Sequence, residues 1–325
     1  MKQIKKPIFI LTTILTLITG CSDTPTATAS TINVSKTPAA ASEKITPLVS
    51  AQWLHEHLND PNLILLDASV LVKMDKTGYQ SISGKDEYIK AHIPNARFAD
   101  LMGALSVQET EQEFILPSSE KFQNAIRELG VKNSSHVVIY SIENQSWPTR
   151  VWWMLRWGGF DRVSILNGGQ TAWTNAGYSL TSEISQYERG DFDFKLREGV
   201  VVDKHFVTKA ITNEKVTIVD SLPPAHYKGD FAMYTRKGHI TSAINLPSSN
   251  FVDASGHFLS KDDLELMLDE KRKNKMVTYC GGGIAASSVA FNLHRAGYSD
   301  VAVYMGSLQE WTEDSDNPMS IGEAP

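Results

Sequence analysis

Cysteine is almost absent from this chain. Its 325 residues hold two, Cys21 and Cys280, too few for a disulfide framework. Basic residues are outnumbered, 31 against 37 acidic, for a net charge of -6. No stripe of Lys or Arg interrupts that balance, so nucleic acid is excluded as a partner. The N-terminal apolar run, Pro7 to Ile18, falls short of the roughly 20 residues that a membrane-spanning helix needs. An HExxH arrangement is missing, and His55, His57, His92 and His136 form no ligand pattern; no metal and no cofactor are implied. His55 and His57 stand two apart on a predicted helix and cannot share a face. What remains is 42% hydrophobic and 21% charged residues, enough to fill proper cores over a length that suits two domains.

Each cysteine needs its own explanation. Met1 to Lys6 is basic, an apolar stretch follows, and Leu17-Ile18-Thr19-Gly20-Cys21 closes it with small residues. This pattern predicts an export signal over 1–20. Its end is similar to the bacterial lipobox, which would leave Cys21 as a lipidated first residue, anchored to the cell envelope. Ser22 directly after it favours the outer membrane by the sorting rules of Gram-negative bacteria. An uncleaved anchor would also place the protein outside the cytoplasm. Residues 21–46, rich in Ser, Thr, Ala and Pro, read as a disordered tether. With Cys21 acylated, Cys280 is a lone thiol in a compartment where thiols usually pair, which suggests chemistry.

From Pro47 onward the same order of strand and helix signals occurs twice. Asp67 and Asp220, His92 and His239, Ser141 and Cys280, and Trp173 and Trp311 stand 153, 147, 139 and 138 residues apart. The drift asks only for small loop deletions. Short β-branched runs such as Leu63–Asp67 and Thr217–Asp220 alternate with helical segments. They predict an α/β fold of two domains, 47–180 and 199–325, each a parallel sheet with helices on both faces. The polar stretch 181–198 is the expected linker. Trp152, Trp153 and Trp157 fit core or inter-domain packing, with the core of the first domain as the leading expectation.

The chemistry concentrates in Met276-Val277-Thr278-Tyr279-Cys280-Gly281-Gly282-Gly283-Ile284-Ala285-Ala286, where a cysteine stands between the end of a strand and the start of a helix. Ligands of open α/β sheets bind outside the carboxyl ends of strands, and helix N-termini attract anions. Three glycines permit a tight loop whose backbone N–H groups, from Gly281 to Ala285, can turn toward the sulfur. Such a cradle stabilises a negatively charged sulfur and makes Cys280 a nucleophile. A buried structural cysteine is the bland alternative. In the first copy Ser141 takes the cysteine's place, followed by Ile142-Glu143-Asn144-Gln145 with no glycine, so that copy is predicted inactive.

With these residues, the chain from Leu48 to about Trp311 resembles the tandem-domain rhodanese family of thiosulfate and 3-mercaptopyruvate sulfurtransferases. Thr149-Arg150-Val151-Trp152-Trp153-Met154, Leu166-Asn167-Gly168-Gly169 and Val303-Tyr304-Met305-Gly306-Ser307 carry the likeness alongside the cysteine loop. The resemblance implies a cycle in which a small anionic donor gives a sulfur atom to Cys280 and a thiol or cyanide removes it. It also implies cations ahead of the loop. Arg236 fits the second family arginine, and His226 sits where the first is expected. Thiosulfate enzymes carry basic residues where this chain has Gly281 and Gly282. The mercaptopyruvate enzymes have serine at the place of Gly282 and an aspartate that aligns near Met102. Broad or thiosulfate-type activity is therefore expected, from a monomer.

Three other readings compete with this one. Phosphatase or arsenate-reductase chemistry needs a longer loop ending in arginine, where this chain has Ala286. Thiol–disulfide exchange needs a nearby resolving cysteine. A non-catalytic module that binds or senses sulfur is the remaining rival, supported by the missing loop cations and by His226.

Overall fold

The computed structural model describes residues 45–325 apart from 76–77, 109, 111, 233 and 269–273. The leader 1–20, Cys21 and all but the last two residues of the tether lie outside the described residues. Among the described residues no helix is long and apolar enough to cross a membrane.

Two five-stranded sheets organise the chain. Across the first run Leu48–Val49, Val163–Leu166, His136–Tyr140, Leu63–Asp67 and Arg97–Phe98. Across the second run Val201–Val202, Val301–Tyr304, Lys275–Tyr279, Val216–Asp220 and Ile244–Asn245. Every pairing within them is parallel. Counted along the chain, both sheets have the spatial order 1-5-4-2-3, so the repeat read in the sequence extends to topology. Register repeats as well: Asp67 lies opposite Tyr140, and Asp220 opposite Tyr279.

Strand side chains alternate between faces, and both faces are packed. In the first sheet Leu65, Val138 and Tyr140 join Leu54 and Trp173, from helices Ala51–His57 and Gly169–Asn175. Their neighbours Ile64, Leu66, Val137 and Ile139 join Phe122 and Val151, from helices Ser119–Glu128 and Ser146–Trp157. Ser50 and Asp203 begin the matching first helices of the two copies by accepting the N–H groups of Trp53 and Phe206.

The tryptophans correct one expectation. Trp152 is buried, but its ring meets Phe291 of the second domain edge-on at 4.9 Å, and His294 at 5.4 Å. Trp153 donates its indole N–H to the Val200 carbonyl at 2.8 Å, and Trp157 packs on Phe194 of the linker. Helix 146–157 lies against helix Ile284–Arg295, and one apolar cluster runs from Ile64 to Trp311. Trp152 and Trp153 therefore join the domains, whereas Trp157 stays with the first domain through Phe122 and the linker. The linker 181–198 lies along the first domain. Phe192 is fully buried there, its N–H on the Val131 carbonyl and its carbonyl receiving the Arg127 Nε–H at 2.7 Å.

Candidate active site

Strand Lys275–Tyr279 ends one residue before Cys280, and helix 284–295 begins four residues after it. The thiol is 3% exposed, and the Gly283 N–H donates to its Sγ at 3.1 Å. Gly283 has φ +82°, which an L side chain rarely adopts. A Cβ there would also lie 2.5 Å from Arg150 Nη1 and 2.9 Å from the Met305 carbonyl oxygen. Glycine at this position is thus required by backbone conformation and by space. The N–H groups of Ile284 and Ala285 follow in the first helical turn, where the backbone supplies no acceptor.

The loop is stitched to the turn after strand Val301–Tyr304. Cys280 N–H donates to Ser307 Oγ at 3.1 Å, and that hydroxyl donates to the Tyr304 carbonyl at 2.8 Å. Leu308 and Gln309 N–H groups donate to the Cys280 and Gly281 carbonyls, each at 3.0 Å. These bonds commit the Cys280 and Gly281 carbonyls to the neighbouring turn, while the Gly283 N–H is given to the sulfur.

Below the cysteine, Tyr279 donates its hydroxyl to Asp220 Oδ2 at 2.7 Å, and Ile240 N–H donates to the same tyrosine oxygen. Burial pushes the Asp220 carboxyl up to about 7, against the stabilising bonds from Leu222 N–H and Tyr279. The first domain repeats this pair: burial raises Asp67, and Ile93 N–H donates to Tyr140 Oη. A pair kept in both copies, only one of which carries a thiol, belongs to the scaffold.

The first-domain loop has the opposite polarity. Ser141 Oγ donates to the Asn144 carbonyl at 2.8 Å, so an oxygen stands where the second loop offers an N–H. Gly169 closes on the loop, with the Gln145 side chain buried beside it.

Of the predicted loop residues, Gly283 donates its N–H to Cys280 Sγ. The two cations read ahead of the loop have other surroundings. Arg236 Nη1 donates to the carbonyls of Asp314 and Asn317, at 3.0 and 2.8 Å, and so ties down the C-terminal segment. His226 lies on helix Pro224–Lys228 with a buried Nδ1 that lacks a partner; burial lowers its pKa, and its nearest ring is Phe231 at 5.7 Å. Among the described residues neither side chain has a hydrogen bond to Cys280.

Two residues that sequence reasoning missed do approach the thiol. Tyr234 is partly buried, and its hydroxyl is pushed upward by burial, then by Cys280 and Glu113. Arg150 reaches across from the first domain to the carbonyl of Gly283, at 3.5 Å. Segment 112–114 of the first domain covers the loop: Gln309 Nε2 donates to the Glu113 carbonyl at 2.9 Å, and Gln112 Nε2 donates to the Gln309 carbonyl at 3.4 Å. An arginine inside the apolar run 149–155 was the available signal for Arg150; nothing local marked Tyr234.

The model for the rhodanese-like domain matches residues 50–176 and 204–314, and the chain belongs to this family. It is 32% identical over 274 residues to a thiosulfate sulfurtransferase of Gallus gallus, covering 81% of this chain and 92% of that one. It is 31% identical over 277 residues to a 3-mercaptopyruvate sulfurtransferase of Escherichia coli, covering 83% and 96%. The crystal structure of SseA, a 3-mercaptopyruvate sulfotransferase from Escherichia coli, superposes with a TM-score of 0.72 at 30% identity, over 81% of this chain and 98% of that one. Sulfur transfer is the chemistry these relatives share, and their donors differ.

Proposed function

We propose that the protein is a sulfurtransferase that carries sulfane sulfur on Cys280. The observation that carries this reading is the Gly283 N–H on Cys280 Sγ, in a strand-to-helix loop where the carbonyls are committed elsewhere. In the first step the thiolate attacks the outer sulfur of thiosulfate; the S–S bond of the donor breaks, sulfite leaves with the electron pair, and Cys280 becomes a persulfide anion. In the second step cyanide or a thiolate attacks the terminal sulfur, and thiocyanate or an external persulfide leaves. Loop N–H groups hold the negative charge in both states. Thiosulfate is the favoured donor, and a mercaptopyruvate-like donor would yield the same persulfide with pyruvate as product. A Cβ at Gly282 would meet Gln309 Nε2 at 3.3 Å, so the serine of the mercaptopyruvate type would need that side chain to shift by a few tenths of an ångström.

Intact mass of the folded chain, taken after each donor and again after cyanide, tests this. A gain of one sulfur atom, about 32 Da, that cyanide discharges as thiocyanate is expected, larger with thiosulfate. A folded chain with a free thiol that takes sulfur from neither donor overturns the reading and leaves a binding module.

Export and a lipid on Cys21 form a separate part of the proposal, resting on the basic leader and the Leu17–Cys21 segment. Cells fed an alkyne-tagged fatty acid should label the chain, and Cys21→Ser should abolish the label. Equal labelling of both would rule the lipid out.

A further inference from the structure

Arg150 is 1% exposed and has no carboxylate among its hydrogen-bond partners. Its Nη2 donates to the Phe114 carbonyl at 2.6 Å; its Nη1 meets Met305 Sδ and the Gly283 carbonyl; its Nε is buried without a partner. A guanidinium out of water is costly unless a negative charge or full hydrogen bonding offsets it. Carbonyls and a thioether supply partial charge only. Phe114 holds its carbonyl in place with φ +58°, a conformation uncommon outside glycine. Burial lowers the Arg150 pKa to about 10, so the group stays charged at neutral pH, and Cys280 is the ionisable group whose charge favours it.

The contact is also built from the loop side. Gly283 gives its N–H to the Cys280 sulfur and turns its carbonyl toward the guanidinium, and any side chain at 283 would occupy the space that Nη1 fills. One residue therefore links the sulfur to the cation.

We propose that Arg150 is a positioning residue of the sulfur-transfer site: the first domain, which has no cysteine of its own, supplies the buried positive charge that balances the anionic sulfur of Cys280. The loop's lack of basic residues at Gly281 and Gly282 then has a counterpart across the domain joint. Tyr234, from the segment after helix 224–228, is another ionisable group that feels the charge of Cys280, and Glu113 of the covering segment acts on Tyr234 as well. Neither is a cation, so neither replaces Arg150.

This proposal rests on Cys280 as the sulfur carrier, yet its test needs no donor, so the two ideas fail separately. Alkylation of Cys280 in the full chain by iodoacetamide, read by peptide mass, reports anionic sulfur directly. Arg150→Met should react about tenfold more slowly than the unmodified chain near pH 7, and the deficit should shrink near pH 10. Arg150→Lys should restore the neutral-pH rate to within about threefold. A folded Arg150→Met chain with an unchanged rate, or a deficit of the same size at both pH values, overturns the proposal. Should the neutral variant fail to fold, the unmodified chain still decides. A buried cation favours the anionic reagent iodoacetate over neutral iodoacetamide, relative to N-acetylcysteine, and a ratio no greater than that of N-acetylcysteine overturns the proposal.

Discussion

A chain carrying Cys280→Ser should fold, lose about 1 kcal/mol of stability or less, and take up no sulfur from any donor. The serine Oγ can accept the Gly283 N–H in place of Sγ, so the loop keeps its shape. A hydroxyl, however, neither ionises near neutral pH nor forms the S–S bond that stores the transferred atom. The informative companion is the double variant Cys280→Ser with Ser141→Cys, which moves the thiol to the equivalent strand end of the first domain. It should remain silent, because residue 141 faces the Asn144 carbonyl and an anionic sulfur there would meet an oxygen lone pair. Intact mass after thiosulfate checks both chains. Sulfur retained by Cys280→Ser would move the carrier elsewhere, and sulfur regained by the double variant would show that loop polarity does not decide activity.

Asp220→Asn should change how stability depends on pH. Burial raises the folded-state carboxyl to about 7, whereas an unfolded aspartate ionises near about 3.9. Between those values the folded chain keeps a proton that the unfolded chain has released, so stability present in acid is lost as pH rises toward 7. The full loss is on the order of 4 kcal/mol, of which roughly 3 kcal/mol falls between about pH 5 and pH 8. Asparagine cannot ionise, yet its oxygen can still accept the Leu222 N–H that now reaches Asp220 Oδ1 at 2.8 Å. Urea unfolding of both chains at the two pH values gives the result as a difference of differences. Asp220→Asn should gain on the parent by about 3 kcal/mol as pH rises. A constant gap would show that the carboxyl ionises normally in the fold.

The fold was legible because its signals are local and repeated. Runs such as Leu63–Asp67 and Val216–Asp220 are buried on both faces and alternate with capped helices, and the repeat in sequence carried over to sheet order. In the cysteine loop the placement between strand and helix was legible from consecutive residues, and Gly283 has a conformational cause in its φ of +82°. What could not be read came from outside the segment. Arg236 was read as a cation for an anionic donor, and its segment gave no sign that the C-terminal segment also returns to present the carbonyls of Asp314 and Asn317 to its Nη1. Arg150 and Trp152 sit in a run that reads as one domain's helix, and only the second helix packed against it shows what they face. Tyr234 had no local mark, because its nearness to Cys280 is made by tertiary folding.

The joint at Trp152 and Phe291 bears on how such a duplicated chain can change over time. A copy that has lost its thiol would ordinarily drift or be trimmed away. Here its helix 146–157 forms one wall of the other copy's interior and reaches that copy's cysteine loop, so losing it would strip that copy of its seal. Under the proposed function, selection for sulfur chemistry at residue 280 extends to residues of the half without the thiol, and the heritable unit is the pair.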